Sequence, residues 1–232
     1  MKRLSCPERA PAGIALYQID FDLERPLAAD DWVCLSIDEQ VRASHFHRYQ
    51  DRVRFGVMRA TLRRLLGQRL SCTPQEVHLE LNQFGKPCLA GGQGAVFHPR
   101  FNLTHTGAIG LLALSEGQEV GIDIEYCDTV FTPAELAGVV KQVLSQSELQ
   151  QVGGNLAQDQ FFTRWVGKEA ALKALGVGIG EHLQTLSVWP ASGGAYAVSH
   201  DHPTWPVVCA HRLDSPPGYA AALAWLPPEV SN

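Results

Sequence analysis

No run of apolar residues in this chain is long enough to cross a bilayer, and the N-terminus lacks a secretion-signal pattern. Internal repeats are missing as well. A basic excess is also missing: 19 Lys and Arg stand against 24 Asp and Glu, a formal charge of −5, which argues against bulk nucleic-acid binding. Cysteine pairs at metal-binding spacing are absent. The six cysteines (Cys6, Cys34, Cys72, Cys88, Cys127 and Cys209) are scattered and read as reduced thiols of a cytoplasmic protein. What remains is a globular chain. Its 232 residues, 45% of them hydrophobic, suffice for one large core or two small ones.

Charge is unevenly placed. Arg42, Arg48, Arg52, Arg54, Arg59, Arg63, Arg64 and Arg69 crowd one short segment. A local basic surface on an acidic protein suits a specific anionic partner, and a solvated helix face explains the same residues.

Periodicity predicts mixed order. Ile14 to Ile19 reads as a strand. Ser36 with Glu39 forms a capping box, so a helix starts near Ile37, with Val41, Phe46 and Tyr49 as its buried stripe. Arg52 to Leu66 carries a second helical pattern ended by Gly67. Val77, Leu79 and Leu81 alternate as a strand, Asn82 to Gly85 is a turn, and Ala90 to Gly94 is a loop. Ile109 to Leu114 and Val120 to Ile124 predict a hairpin through Ser115 to Gln118. Thr132, Pro133 and Glu135 open another helix, Gly153-Gly154-Asn155 breaks the chain, and a helix runs from about Ala157 to Leu175, ended by Gly176. Four strands close the chain: Leu186 to Trp189, Ala195 to Val198, Val207 to His211 and Tyr219 to Trp225. Strands and helices in both halves favour an α+β fold over a doubly wound parallel sheet.

Gly121-Ile122-Asp123-Ile124-Glu125 alternates apolar and acidic residues, which sets Asp123 and Glu125 on one face of a strand. Adjacent carboxylates need a cation or a proton to be stable together. In Trp165-Val166-Gly167-Lys168-Glu169, followed by Lys173, Glu169 and Lys173 lie one helical turn apart. A third carboxylate beside a lysine would complete a site for a hard metal ion and a phosphate. Exposed acids on a half-buried strand and an ordinary helix ion pair account for the same residues taken singly. His105, between Thr104 and Thr106 and followed by Gly107, suits a phosphate contact or a structural turn. Phe84-Gly85-Lys86-Pro87 lacks the spacing of a Walker loop, although a lysine there can still meet a phosphate. His200-Asp201-His202 has no further ligands nearby and reads as a polar loop rather than a zinc site.

Taken in order, four pieces resemble the Sfp-type 4′-phosphopantetheinyl transferases. They are Phe84 to Pro87, Phe101 to Gly107, Val120 to Glu125, and Trp165 with Lys168-Glu169-Ala170 and Lys173 to Gly178. The match is sharp from about Phe84 to Gly180 and looser from Val41 to Gly67. The resemblance implies two similar α+β halves, 1–117 and 118–232, with coenzyme A between them. It implies transfer of the phosphopantetheine arm to a serine of an acyl or peptidyl carrier protein, releasing adenosine 3′,5′-bisphosphate. Magnesium would be held by Asp123, Glu125 and Glu169, a donor set that suits this ion. Glu169 would be the base, Lys173 would stabilise phosphate or leaving group, and Lys168 belongs to the same catalytic stretch. Lys86, Thr104 and His105 would contact the coenzyme's phosphates, with Arg54 and Arg42 as further candidates.

Carrier proteins of this kind are acidic helical bundles, so Arg63 and Arg64 are expected to dock one. A monomer is expected, with no nucleic-acid or membrane partner. Two departures stand out: threonines flank His105 where the family often has serine, and Gly167 should weaken its helix. Two rivals stay open, a metal-dependent hydrolase using the same carboxylates and a non-catalytic binding module.

Overall fold

The computed structural model describes residues 1–91, 99–128, 131–153 and 156–228. In chain order the elements are β1 (Lys2–Leu4), β2 (Ala15–Asp20), α1 (Ala29–Trp32), α2 (Ile37–Ser44), α3 (Tyr49–Leu70), β3 (Leu79–Leu81), β4 (Pro87–Leu89), β5 (Arg100–Thr106), β6 (Ile109–Ser115) and β7 (Val120–Tyr126). They continue with α4 (Pro133–Val143), α5 (Gln146–Val152), α6 (Gln158–Leu175), α7 (Ile179–His182), β8 (Leu186–Pro190), β9 (Ala195–His200), β10 (Cys209–Leu213) and β11 (Tyr219–Trp225). Every strand pair is antiparallel. One sheet has the order β1-β2-β6-β5, a second the order β7-β11-β10-β9-β8, and β3-β4 is a separate hairpin. The α+β expectation is met. Among the described residues no helix is long and apolar enough to cross a membrane.

Alternation along the strands sets the layers. Leu16, Leu111 and Ala113 of the first sheet share a core with Ile122, Ile124 and Leu223 of the second. On the far side of the first sheet, Met58, Leu62 and Leu66 of α3 pack on Ile19, Leu112 and Leu114. On the far side of the second, Val166, Ala170 and Leu172 of α6 pack on Val188, Ala210 and Ala222. The order is therefore helix, sheet, sheet, helix. The edge strands β5 and β7 meet where the sheets adjoin. There the backbone N–H of Ile122 donates to Oδ1 of Asn102 at 2.8 Å, so a side chain satisfies a buried edge-strand donor.

Local signals set several element ends. Ser36 and Glu39 exchange hydrogen bonds at 3.3 and 3.1 Å, and Thr132 with Glu135 forms a second capping box. Gly176 ends α6 at φ 73°, where a glycine costs least.

Four expectations differ. Ile109 to Leu114 and Val120 to Ile124 do not form a hairpin: β6 pairs with β2 and β5, whereas β7 pairs with β11. All seven residues of β6 are buried, so it sits centrally and has no free edge for β7. Gly67 does not end α3, which continues to Leu70 and closes at Ser71 with φ 54°. Gly67 instead makes room for the returning chain, because a Cβ there would lie 2.7 Å from the Cys72 carbonyl. The stripe of α2 also fails: Val41 is 51% exposed and Tyr49 37%. The inward side of α2 carries Ala43 and Glu39, and Glu39 is tied to arginines of α3. Val77, expected within a strand, lies before β3 and is buried. The expected loop at 90–94 and break at 153–155 fall partly outside the described residues, at 92–94 and 154–155.

Candidate active site

Gly121, Asp123 and Glu125 share the face of β7 that meets α6. A Cβ at Gly121 would overlap the Ala170 carbonyl and the Ala174 amide, so strand and helix backbones touch there. This contact carries Glu169 and Lys173 over the acidic face of the strand. Carboxylate oxygens of Asp123, Glu125 and Glu169 all lie within 4.8 Å of one another. The carboxylates that sequence spacing singled out therefore converge.

Lys173 lies among them. Its Nζ stands 2.5 Å from Oδ1 of Asp123 and 3.4 Å from Oε2 of Glu169. Oδ1 of Asp123 also accepts the Thr104 hydroxyl at 3.0 Å, whereas Oδ2 is buried with no hydrogen-bond partner. Oε1 of Glu169 accepts the indole N–H of Trp165 at 2.7 Å.

The acids pay an electrostatic penalty. Burial, then the Asp123 and Glu169 carboxylates, push Glu125 up to about 7. Burial and Asp123 raise Glu169. Burial opposes the Lys173 ammonium, but Asp123 and Glu169 more than offset it and raise its pKa. One lysine thus faces three acids, and one buried oxygen of Asp123 has no hydrogen-bond partner. A hard divalent ion with oxygen ligands fits this donor set.

Alternation along β5 turns Asn102, Thr104 and Thr106 toward the second sheet. His105 points the other way, with its ring edge on Phe21 at 6.2 Å between centroids. Burial, then the Arg54 charge, hold His105 below its ordinary pKa. Arg54 donates to the Gly107 carbonyl at 2.7 Å and to Asp51 at 2.9 Å, which places it at the same turn. Lys86 is committed to oxygens around the C-terminal end of α6: Glu119 at 3.0 Å, the Lys173 carbonyl at 2.8 Å and the Val120 carbonyl at 3.4 Å. Arg42 is farther round, with its guanidinium 5.2 Å from the Phe55 ring centre.

Lys168 is not brought to the acids. It is fully buried on another side of α6, in a 2.6 Å ion pair with Glu148. No atom of it is open to a substrate, so a direct catalytic part does not agree with its position. The docking expectation is corrected for Arg63. Arg63 is 2% exposed and bonds Glu39 at 2.5 Å and the Pro74 and Val77 carbonyls. Arg64 is held by Asp31 at 2.6 Å and the Asp30 carbonyl.

Trp165 as the holder of Glu169 was not foreseen. Its i,i+4 spacing to Glu169 and its indole N–H are the available signals. All six cysteines are free, and burial pushes Cys127 up to about 11, so nothing marks it as reactive.

An α+β protein with three convergent carboxylates, a lysine among them and a threonine-histidine strand alongside offers oxygen donors that suit a hard cation and an ammonium that suits an anion. The 4′-phosphopantetheinyl transferase superfamily model matches residues 119–224. The chain is 31% identical to a Synechocystis sp. protein named as a 4′-phosphopantetheinyl transferase, over 90% of this chain and 86% of that one. It is 33% identical to the 4′-phosphopantetheinyl transferase HetI of Nostoc sp., over 72% of this chain and 70% of that one. It is 28% identical to the L-aminoadipate-semialdehyde dehydrogenase-phosphopantetheinyl transferase of Xenopus laevis, over 66% of this chain and 53% of that one. The chain belongs to the 4′-phosphopantetheinyl transferase superfamily and is a transferase of that family.

Proposed function

We propose that this enzyme moves the 4′-phosphopantetheine group from coenzyme A to a serine of an acyl or peptidyl carrier protein, with magnesium, leaving adenosine 3′,5′-bisphosphate. The observation that carries the reading is the convergence of Asp123, Glu125 and Glu169 within 4.8 Å around Lys173. Residues 1–117 and 118–232 are taken as two halves with the coenzyme between them. The division of strands supports this, since β1, β2, β5 and β6 make one sheet and β7 to β11 the other.

In this reading Asp123, Glu125 and Glu169 hold the magnesium. When bound, the ion neutralises charge on the pyrophosphate. The carrier serine oxygen forms a new bond to the pantetheine-side phosphorus, and the bond from that phosphorus to the departing bisphosphate breaks. The serine proton passes to the Glu169 carboxylate, directly or through a water. Burial and the Asp123 charge raise the pKa of Glu169, the direction that makes a carboxylate a better proton acceptor. Trp165 holds one oxygen of that carboxylate and leaves the other facing Lys173. The Lys173 ammonium stabilises negative charge on the phosphate and leaving group. His105 and Arg54, both beside the Gly107 turn, take the coenzyme's remaining phosphate, and Thr104, on the opposite face of β5, contacts the coenzyme from the Asp123 side. Lys86 and Arg42 are secondary for that part, the first because its donors are engaged and the second because it lies over Phe55.

The test is incubation of the purified chain with coenzyme A, magnesium and apo-carriers, read by intact mass. A phosphopantetheine increment on a carrier serine, absent for E169Q, is expected. Hydrolysis of the coenzyme with no mass gain on any carrier would replace transfer with a hydrolase.

A further inference from the structure

We propose that Lys168 is a positioning residue, whose buried pair with Glu148 sets how α6 lies and thereby brings Glu169 and Lys173 to Asp123. The proposal rests on the transferase reading given above.

Lys168 and Glu148 both have 0% side-chain exposure and meet at 2.6 Å. The ammonium of Lys168 also donates to the Leu183 carbonyl at 2.8 Å and to the Leu186 carbonyl. Its three protons therefore have three oxygens. Glu148 is equally engaged: Oε2 accepts the Ser145 backbone N–H at 2.8 Å, and Oε1 accepts the Val188 N–H at 2.8 Å. One closed network thus joins α6, the start of α5, the end of α7 and strand β8. It involves no group that faces the acids.

The position of this network in the sheet matters. β7 and β8 are the two edges of the second sheet. Lys173 reaches Asp123 on β7, whereas Lys168 is bolted to β8. α6 therefore spans both edges. Two close approaches let it lie low: Gly121 beneath Ala170, and Gly167, where a Cβ would fall 2.9 Å from Val188. Glycine contacts allow proximity but do not by themselves choose the helix's rotation or axial register. A buried, fully satisfied ion pair does, because any slide or turn of α6 would strip hydrogen bonds from a charge that has no water to replace them. Such pairs add little net stability compared with apolar packing, and register is their best-attested use. Glu169 follows Lys168 directly, so an error in register transfers to the acid site.

The test uses the full chain and K168Q/E148Q. This variant removes both charges but keeps amides able to meet the Leu186 carbonyl and the Val188 N–H. Folding is followed by circular dichroism and thermal melting, and Mn²⁺ affinity by paramagnetic resonance. Transfer to a carrier is resolved into kcat and KM, and amide exchange is followed across residues 158–175. The expected result is a folded protein whose kcat falls about 10- to 100-fold, in the range found for groups supporting ligands from behind. KM for coenzyme A should stay within about twofold, since no binding group is removed. Mn²⁺ should bind more weakly, and exchange in α6 should quicken. A folded double variant with unchanged kcat and Mn²⁺ affinity overturns the proposal. Should the double variant not fold, K168R carries the same measurements: it keeps the charge but changes the reach, so reduced kcat with intact KM supports the role and full kcat overturns it. If the unsubstituted chain transfers nothing, the functional reading falls, and Mn²⁺ affinity across the variants still decides what Lys168 does.

Discussion

Lys173 on α6 and Asp123 on β7 stand 2.5 Å apart, joined across the seam between helix and strand. The bond uses only one oxygen of Asp123, and the other is buried without a partner. D123N would keep the size of the side chain and its contact with the Thr104 hydroxyl while removing the charge. Lys173 would retain Glu169 at 3.4 Å, so the fold should survive. Transfer should fall by on the order of 100-fold or more, comparable to loss of one preorganised charge-stabilising group. Carrier mass gain against time, with a melting curve as control, checks this. Unchanged kcat/KM in a folded D123N would remove Asp123 from the site.

Stability should depend on pH and on magnesium together. Glu125 titrates at about 7 in the folded chain against an ordinary value of 4.5. The folded state therefore binds more protons than the unfolded state between these values. By linkage, stability contributed by this group is greatest below the unfolded pKa and declines as pH rises through the folded one. A divalent ion that binds only the folded acids counters that decline. Added magnesium should thus raise the melting temperature more near pH 8 than near pH 5, and D123N should flatten the difference. Equal magnesium shifts at both pH values would count against a cation at these acids.

Gly121 should tolerate nothing larger. A Cβ there would collide with backbone, the Ala170 carbonyl and the Ala174 amide, rather than with a flexible side chain. Relief requires α6 to lift, and α6 carries Glu169 and Lys173. G121A should cost about 1–3 kcal/mol, the usual range for overpacking, and should lower kcat in the molecules that remain folded. Urea unfolding with kinetics on the folded fraction tests both parts. A G121A chain of normal stability would show that strand and helix are not in contact as described.

The site was more legible than the sheets around it. Period-two spacing put Asp123 and Glu125 on one face, and period 3.6 put Glu169 with Lys173, because these are local rules. Capping boxes at Ser36 and Thr132 and the glycine stop at Gly176 were readable for the same reason. Pairing was not. β6 and β7 are close in sequence, but β6 pairs with its neighbour β5 and with the remote β2, whereas β7 pairs with the remote β11. The fate of charged side chains was hidden too. Nothing local distinguishes Lys168, sealed against Glu148, from Lys173, five residues on, which reaches the acids.

The arginine cluster divides into two groups with opposite expected behaviour. Arg63 is enclosed with Glu39 and two carbonyls, and Arg59 shares the same acid at 3.8 Å. R63A leaves Glu39 buried with a weakened partner set, so it should cost roughly 3–5 kcal/mol, as broken buried pairs do. Arg48 is exposed and has no ion pair among the described residues. R48E should leave stability within about 0.5 kcal/mol, as surface changes usually do. If the basic segment helps to dock an acidic carrier, the effect must come from residues such as Arg48. R48E should then raise KM for the carrier, more strongly at low salt, and leave KM for coenzyme A alone. Chemical denaturation separates the two arginines first, and carrier titrations at two ionic strengths follow. A carrier KM indifferent to both R48E and salt would assign the cluster wholly to holding α2 and α3 together.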